Sequence, residues 1–185
     1  MIPKPELVEG SFLIRPYRPE DVEPTFAAVR ESVEALSPWL PWCHANYAIE
    51  ETREFVQFAT GAWAKETDFS FAVFDPARGE HLGGVGLNQI NRIHNFANLG
   101  YWVRTSACGQ GIASRSVRQV AGWAFAELGF NRIEIMVAVD NRASQRVAEK
   151  AGAQREGILR RRLAVGKAGQ DAVVFSLLPE DFGLS

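Results

Sequence analysis

The chain has 185 residues, of which 46% are hydrophobic and 23% charged, proportions typical of a globular protein with one sizeable core. Its formal net charge of -2 gives no broad basic surface, which excludes direct nucleic-acid binding as a leading interpretation. The opening lacks the apolar segment of a signal peptide, and no apolar run could span a bilayer. We therefore expect residues 1–185 to form a single cytoplasmic domain with no membrane partner.

The first half of the chain predicts strands around two helices. Glu20 and Asp21 are acidic residues suited to the first turn of a helix, and Phe55, Phe58, Ala59 and Ala62 recur at helical spacing in a second one. Two prolines, in the segment 37–42, exclude a regular helix between them and predict an aromatic turn. The expected elements are a strand at 12–17, helices at 20–35 and 50–65, and strands at 69–74, 81–90 and 96–103.

The second half predicts one strand–helix–strand crossover followed by a hairpin. A long helix over 109–128 has an apolar stripe formed by Val117, Val120, Ala121, Ala124, Phe125 and Leu128. Gly129 and Gly152 are plausible helix stops. The other expected elements are a strand at 132–139, a helix at 141–150, and strands at 154–163 and 171–178 around a turn at 166–169. This order predicts an α/β protein of the α+β type, with a mixed, mostly antiparallel sheet of six to seven strands and helices on both faces.

A glycine-rich turn lies between the strand at 96–103 and the long helix. Gly109 and Gly111 allow the backbone to approach a ligand closely and to adopt conformations that other residues avoid. The first N–H groups of the helix have no internal acceptor, and the helix dipole places partial positive charge there. A tight loop that binds nothing is the alternative, but the position between strand and helix favours a phosphate site.

Two classes of phosphate-binding protein compete for this turn. A dinucleotide site requires Gly-x-Gly-x-x-Gly in the first crossover and an acidic residue after the next strand. Ser114 stands at the third glycine and Asp140 follows the next strand, so the match is partial. Against it, more than half of the chain precedes the turn, and only one crossover is visible. A nucleotide-triphosphate loop is disfavoured because no Gly-Lys-Ser/Thr is present.

At this point the chain resembles the GCN5-related N-acetyltransferase (GNAT) superfamily, in particular the RimJ/RimL-like branch that acetylates the N-termini of ribosomal proteins. The resemblance covers nearly the whole chain and rests on the joint occurrence of five stretches. These are Leu13-Ile14-Arg15-Pro16, Pro38-Trp39-Leu40-Pro41-Trp42, Gly100-Tyr101-Trp102-Val103, Gly109-Gln110-Gly111-Ile112-Ala113, and Asn141-Arg142-Ala143-Ser144 with the run that continues to Glu156-Gly157.

The resemblance implies acetyl-CoA as the cofactor, with its pantetheine arm in a gap between the strands at 100–103 and 132–139. Asn141 would place its amide on the cofactor or cap the helix, and Ser144 would protonate the departing thiolate as the catalytic acid. Cys108 stands where the family usually has Gln or Arg; we expect a small buried thiol rather than a nucleophile. The implied cofactor-binding residues are Tyr101, Trp102, Val103, Arg104, Cys108, Gly109, Gln110, Gly111, Ile112, Ala113, Ser114, Asn141 and Ser144. Cys43 and Cys108 lack a metal or redox spacing, and no metal site is expected.

The acceptor amine must be neutral to attack a thioester. An α-amino group has a pKa of about 8 and a lysine about 10.4, so deprotonating the lysine costs roughly 3 kcal/mol more. An N-terminal amine therefore needs less help from a base. Asn98 occupies a position where many relatives have an acid, and it cannot accept a proton usefully. Glu156, His44 and His94 are possible substitutes.

Aromatic and basic side chains near these motifs have two interpretations each. Trp39, Trp42 and Trp102 either wall an acceptor pocket or belong to the core. Arg104, Arg115 and Arg118 either meet phosphates or lie on a solvated face. Arg160, Arg161 and Arg162 form a basic run that we expect at an edge or surface.

The leading hypothesis is therefore an acetyltransferase that acts on a protein N-terminus, such as that of a ribosomal protein. A small-molecule amine acetyltransferase, acting on a polyamine, amino acid or aminoglycoside, remains open. So does a catalytically silent acyl-CoA sensor, whereas a dinucleotide-dependent enzyme is disfavoured. A homodimer is possible, and the sequence does not fix the oligomeric state.

Overall fold

A central mixed sheet organises the computed structural model, which describes residues 4–164 and 169–184. Eight strands of this described part pair in the order β1-β2-β3-β4-β5-β6-β8-β7. All neighbouring pairs are antiparallel except β5 and β6. The strands are β1 (Leu7–Glu9), β2 (Phe12–Pro16), β3 (Phe69–Asp75), β4 (Glu80–Asn91), β5 (Phe96–Val103), β6 (Arg132–Ala138), β7 (Gln154–Leu163) and β8 (Gln170–Leu177). The helices are α1 (Val22–Leu36), α2 (Ile49–Ala64), α3 (Ile112–Leu128) and α4 (Arg142–Lys150).

Helices cover both faces of the sheet, as the sequence predicts. On one face, buried strand residues such as Phe71 and Leu99 pack with Val117 of α3 in the main core. On the other face, Ala72 packs with Val56 of α2 in a smaller cluster. Because successive residues of a strand point to opposite faces, Phe71 lies in the main core with α3 and with Trp63 from the end of α2, whereas its neighbour Ala72 lies in the smaller cluster.

The eighth strand and several boundaries differ from the expectations. Strand β1 has only three residues, too few for an alternating pattern to show. The acidic pair at 20–21 lies in a short 3₁₀ helix, Pro19–Asp21, before α1. Phe58 is 56% exposed and does not belong to the buried face of α2. Of the expected turn at 166–169, residues 166–168 lie outside the described residues.

Two glycines set the ends of α3. The helix begins at Ile112 rather than at 109, because Gly109 and Gly111 have φ angles of 79° and 74°, a left-handed conformation that cannot continue a right-handed helix. It stops at Gly129, which adopts φ 65° as the sequence predicts. The glycine turn is thus held between β5 and α3.

The fold also decides between two of the hypotheses. A dinucleotide enzyme needs a doubly wound parallel sheet, whereas β5 and β6 form the single parallel pair among the described strands.

In residues 4–164 and 169–184, no helix is both long and apolar enough to cross a bilayer.

Candidate active site

The parallel strands β5 and β6 separate near the middle of the sheet. They pair only at Phe96↔Arg132, Ala97↔Ile133 and Asn98↔Glu134. Beyond this point residues 99–103 pair with β4 alone, and residues 135–138 pair with β8 alone. A cleft therefore opens between two strand edges whose peptide groups face each other unpaired. This is the gap that the sequence predicts, and a chain-like ligand could pair with either edge as a strand would.

The glycine turn lies at the end of β5, where the cleft is open. In the part of the chain that the structure describes, the backbone N–H groups of residues 109–114 donate to no acceptor, and the first bond of α3 runs from the Arg115 N–H to the Gly111 carbonyl (3.1 Å). A Cβ on Gly109 would meet nothing within 4 Å. These free amides, an open approach and the positive end of α3 suit an anion such as a diphosphate.

The arginines predicted near the turn take different positions. Arg104 donates to Glu31 on α1 (2.5 Å), so its charge is already paired. Arg118 donates to two carbonyl groups, those of Ala151 and Asp181. Arg115 donates to the carbonyl of Gln110 (3.1 Å) and keeps its guanidinium beside the turn.

Cys108 corrects one expectation. Its thiol is exposed rather than buried, and Sγ lies 3.5 Å from the carbonyl oxygen of Arg104. Partial desolvation and the nearby Glu31 carboxylate raise the pKa of Cys108. A raised pKa disfavours the thiolate, which is the nucleophilic form, and the absence of a nucleophilic role for Cys108 stays a prediction.

A pair of hydroxyl groups joins the cleft to the start of α4. Asn141 caps this helix, because its Oδ1 accepts the Ser144 N–H (3.0 Å). The Tyr101 hydroxyl lies 2.8 Å from the Ser144 carbonyl oxygen and 2.9 Å from Ser144 Oγ. Since Tyr101 has one proton to donate to that carbonyl, Ser144 Oγ–H donates to Tyr101. Burial raises the pKa of Tyr101 to about 12, so its hydroxyl carries its proton at neutral pH.

The other predicted cofactor residues contribute through their backbone. Ile112 is buried in the main core, and Ser114 Oγ donates to the Gly111 carbonyl (3.2 Å). Gln110 donates its side chain to the Ser106 carbonyl (3.4 Å). The peptide groups of these residues, and of Val103 and Ala113, are candidate contacts with a ligand.

Trp102 and the aromatic turn form a column on the face opposite Tyr101. The Trp102 ring stacks on His81, with centroids 5.5 Å apart, and Trp42 contacts it edge-on at 6.0 Å. Trp42 is 42% exposed, whereas Trp39 is half-buried. Trp42 and Trp102 thus line one surface beside the cleft, consistent with a pocket wall.

None of the candidate general bases fits that role well. Hydrogen bonds from Arg132 lower the pKa of Glu156 to about 2, so this carboxylate is a weak proton acceptor. His44 is exposed and contacts Glu51 (2.9 Å). His94 is exposed in the turn between β4 and β5. The basic run at 160–162 lies exposed on β7, an edge strand, as expected.

His81 is a buried residue that sequence reasoning missed. Both ring nitrogens are buried without a hydrogen-bond partner in the described part of the chain, as is the Tyr17 hydroxyl, and the two rings are 5.7 Å apart. Burial lowers the pKa of His81 to about 3, so the imidazole is neutral. The sequence signal that could have found it is the alternation of side chains along β4, which directs His81 toward the helices.

These features define a class of protein. An amide-lined turn for an anionic carrier, an opened sheet beside it and a paired proton donor are the parts of a group-transfer enzyme. No cluster of three metal-ligating side chains occurs among the described residues.

Comparison with known proteins gives the family. Residues 11–154 match the model of the acetyltransferase (GNAT) domain. The chain is 33% identical to the Bacillus subtilis protein named probable N-acetyltransferase YjcK over 136 residues. This aligned region covers 73% of this chain and 75% of that protein. The chain is 27% identical over 156 residues to the ribosomal-protein-serine acetyltransferase of Escherichia coli, covering 84% of this chain and 86% of that protein.

A solved structure shows the same fold. RimJ of Mycobacterium smegmatis, in complex with CoA-disulfide, superposes with a TM-score of 0.83 at 24% identity, covering 94% of this chain and 85% of that chain. The chain therefore belongs to the GNAT family of acetyltransferases. It is an N-acetyltransferase, and acetyl-CoA is its acetyl donor.

Proposed function

We propose that this enzyme transfers the acetyl group of acetyl-CoA to the α-amino group of a protein N-terminus, of the kind found on ribosomal proteins. The observation that carries the proposal is the cleft between β5 and β6, which ends at the free amides of residues 109–114. Relatives across most of the chain include the Escherichia coli ribosomal-protein-serine acetyltransferase.

The residues around the cleft fit the donor. The amides of residues 109–114 would hold its diphosphate, and the free edge of residues 99–103 would hold its pantetheine arm as a neighbouring strand does. The bound donor supplies an acetyl group activated as a thioester. Ser144 would protonate the departing sulfur, and Tyr101 would replace the proton that Ser144 gives up.

The basicity of the acceptor supports an N-terminal amine. An α-amino group has a pKa of about 8, so a useful fraction is neutral at pH 7, whereas a lysine with a pKa of about 10.4 is almost fully charged. Position 98 holds an amide rather than a carboxylate, so this position cannot take a proton from the acceptor. The acceptor that needs the least help from a base is therefore favoured.

The test is a panel of matched peptides with acetyl-CoA, followed by free-thiol release. Each N-terminal sequence is supplied with a free amine, with a blocked amine, and with a blocked amine plus an internal lysine. We expect turnover only with the free N-terminus. Turnover on the lysine peptide, or on a polyamine panel alone, would assign a different acceptor. Tight acetyl-CoA binding without turnover on any panel would favour a sensor.

The serine variant Ser144→Ala sharpens this test. It should lower kcat and leave the affinity for acetyl-CoA unchanged, because its hydroxyl acts only when the thiolate leaves. Unchanged kcat would remove the acid role from Ser144.

A further inference from the structure

A row of polar residues crosses the sheet at the point where β5 and β6 separate. Asn88 pairs with Asn98, Asn98 with Glu134, and Glu134 with Ser176. Ladder partners point to the same face of a sheet. Their chain neighbours Leu87, Leu99 and Ile133 belong to the main core on the α3 face. The polar row therefore lies on the opposite face, the one with Trp42 and Trp102.

One oxygen atom in this row lacks a hydrogen bond. Asn98 Nδ2 donates to Asn88 Oδ1 (2.8 Å), while Asn98 Oδ1 is buried and has no donor among the described residues. An unsatisfied buried acceptor is costly in a folded protein. The site is consequently suited to a donor from outside the chain, such as an ammonium group.

Glu134 stands beside this oxygen on the last paired rung. Its Oε1 accepts a hydrogen bond from Arg132 Nε (2.8 Å), and its Oε2 accepts none from the described residues. Arg132 gives its two terminal nitrogens to Glu156 instead. Of the two carboxylates on Arg132, Glu134 is thus the one with an oxygen free to take a proton, and its side chain is only 20% exposed.

The face of β5 next to Asn98 and Glu134 is open at Gly100. The next rung toward the open end joins Gly86 to Gly100. A Cβ built on Gly100 would meet only Asn88 Nδ2, at 3.8 Å. The space above Gly100 is bounded by Asn98 on one side and Trp102 on the other, since these three alternate along the same face of β5. We call this space the acceptor trough.

We propose that Glu134 is the general base for the acceptor amine and that the Asn98 carbonyl oxygen holds the incoming ammonium group in the acceptor trough. This inference rests on the proposed function. Glu134 takes one proton from the ammonium group, which leaves a neutral amine. The nitrogen lone pair then forms the C–N bond as the C–S bond breaks, and the electron pair of that bond leaves with sulfur. The sulfur takes its proton from Ser144, the extra proton on nitrogen restores the hydroxyl pair, and Glu134 releases its proton to solvent.

The test compares two glutamine variants of the carboxylates that share Arg132. Glu134→Gln should lower kcat/KM for a free N-terminal peptide about 100-fold, the lower range for loss of general-base catalysis. Glu156→Gln removes the other partner of the same arginine and should leave kcat/KM near the wild-type value. Equal losses in both variants would show that the carboxylates only anchor Arg132, and a Glu134→Gln variant with wild-type turnover would also overturn the proposal.

A double variant moves the carboxylate from Glu134 on β6 to its pairing partner, position 98 on β5. Asn98→Asp in the Glu134→Gln background should recover at least part of the lost turnover, because it returns a proton acceptor to the trough. A merely structural Glu134 would not be rescued in this way, so absence of any recovery counts against the proposal.

Binding supplies a readout without chemistry. With CoA in place of acetyl-CoA, calorimetry should show a free N-terminal peptide binding about tenfold more weakly to Glu134→Gln, with no loss for an N-terminally blocked peptide. Equal affinities of the free peptide for wild type and Glu134→Gln would overturn the role. A wild-type enzyme that binds acetyl-CoA but acetylates no peptide would instead overturn the proposed function, and this role with it.

Discussion

The two faces of the sheet are built from alternating residues of the same strands, yet they differ in kind. On the α3 face, Phe69 and Phe71 pack edge-on against Trp63 and Trp123 at 5.0–5.6 Å. On the opposite face, His81, Tyr17 and Asn98 have buried polar atoms without partners in the described chain; on the α3 face the same holds for Trp63 Nε1 and Ser116 Oγ. The two faces therefore differ less in unsatisfied atoms than in packing: aromatic rings fill the first, whereas the second carries small and polar residues where we propose that the acceptor binds.

The largest effect should come from the packed face. Phe71→Ala removes a fully buried ring and should lower the free energy of unfolding by about 3–5 kcal/mol. Urea denaturation measures it, and Phe58→Ala, on the exposed side of α2, is the matched control with little expected change. A small loss at Phe71 would mean that the α3 face is not the main source of stability.

The pH dependence of the free energy of unfolding should report the buried His81 on the opposite face. Burial lowers the pKa of His81 to about 3 from an unfolded value of 6.5, so the unfolded state binds a proton first. The stability that depends on neutral His81 is therefore complete above pH 6.5 and is lost as the pH falls toward 3. His81→Phe should flatten this part of the stability–pH curve. Parallel curves for the two proteins would contradict a buried neutral imidazole.

Substitutions at two glycines of this face, Gly84 and Gly100, should have different effects, the first on stability and the second on binding of the acceptor. A Cβ on Gly84 would lie 2.7 Å from Trp102 Nε1 and 2.8 Å from Tyr17 Oη, so Gly84→Ala should push Trp102 aside and cost about 1–3 kcal/mol of stability. A Cβ on Gly100 meets only Asn88 Nδ2, at 3.8 Å, so Gly100→Ala should fold normally. It should raise the KM for the acceptor because it fills the floor of the acceptor trough. Normal acceptor kinetics in Gly100→Ala would place the acceptor elsewhere.

Most of the fold follows from local patterns. The stripe of Val117, Val120 and Ala121 predicts α3, and the glycines at 111 and 129 explain where it begins and ends. Strand β1 was missed because its three residues pair only with β2. Its existence depends on a partner, which no local period can show.

The site was less predictable because it depends on register between distant strands. Asn98 and Glu134 are neighbours only through the short parallel ladder of β5 and β6, so their juxtaposition could not be derived from either segment. Glu156 was a reasonable candidate base by type, but its bond to Arg132 from another strand makes it a poor one. Sequence motifs predict the cofactor turn, whereas the pairing of distant strands decides which carboxylate has an oxygen without a donor.

The smallest predicted effect concerns the hydrogen bond that links β5 to α4. Tyr101→Phe removes the hydroxyl that accepts from Ser144 Oγ (2.9 Å) and should lower kcat about tenfold, or about 1.4 kcal/mol in the barrier. The affinity for acetyl-CoA should not change. In a Ser144→Ala background the same substitution should cost almost nothing further, because residues that act as a unit are not additive. Additive losses would show that Tyr101 and Ser144 act independently, and the proton would then reach the sulfur by another route.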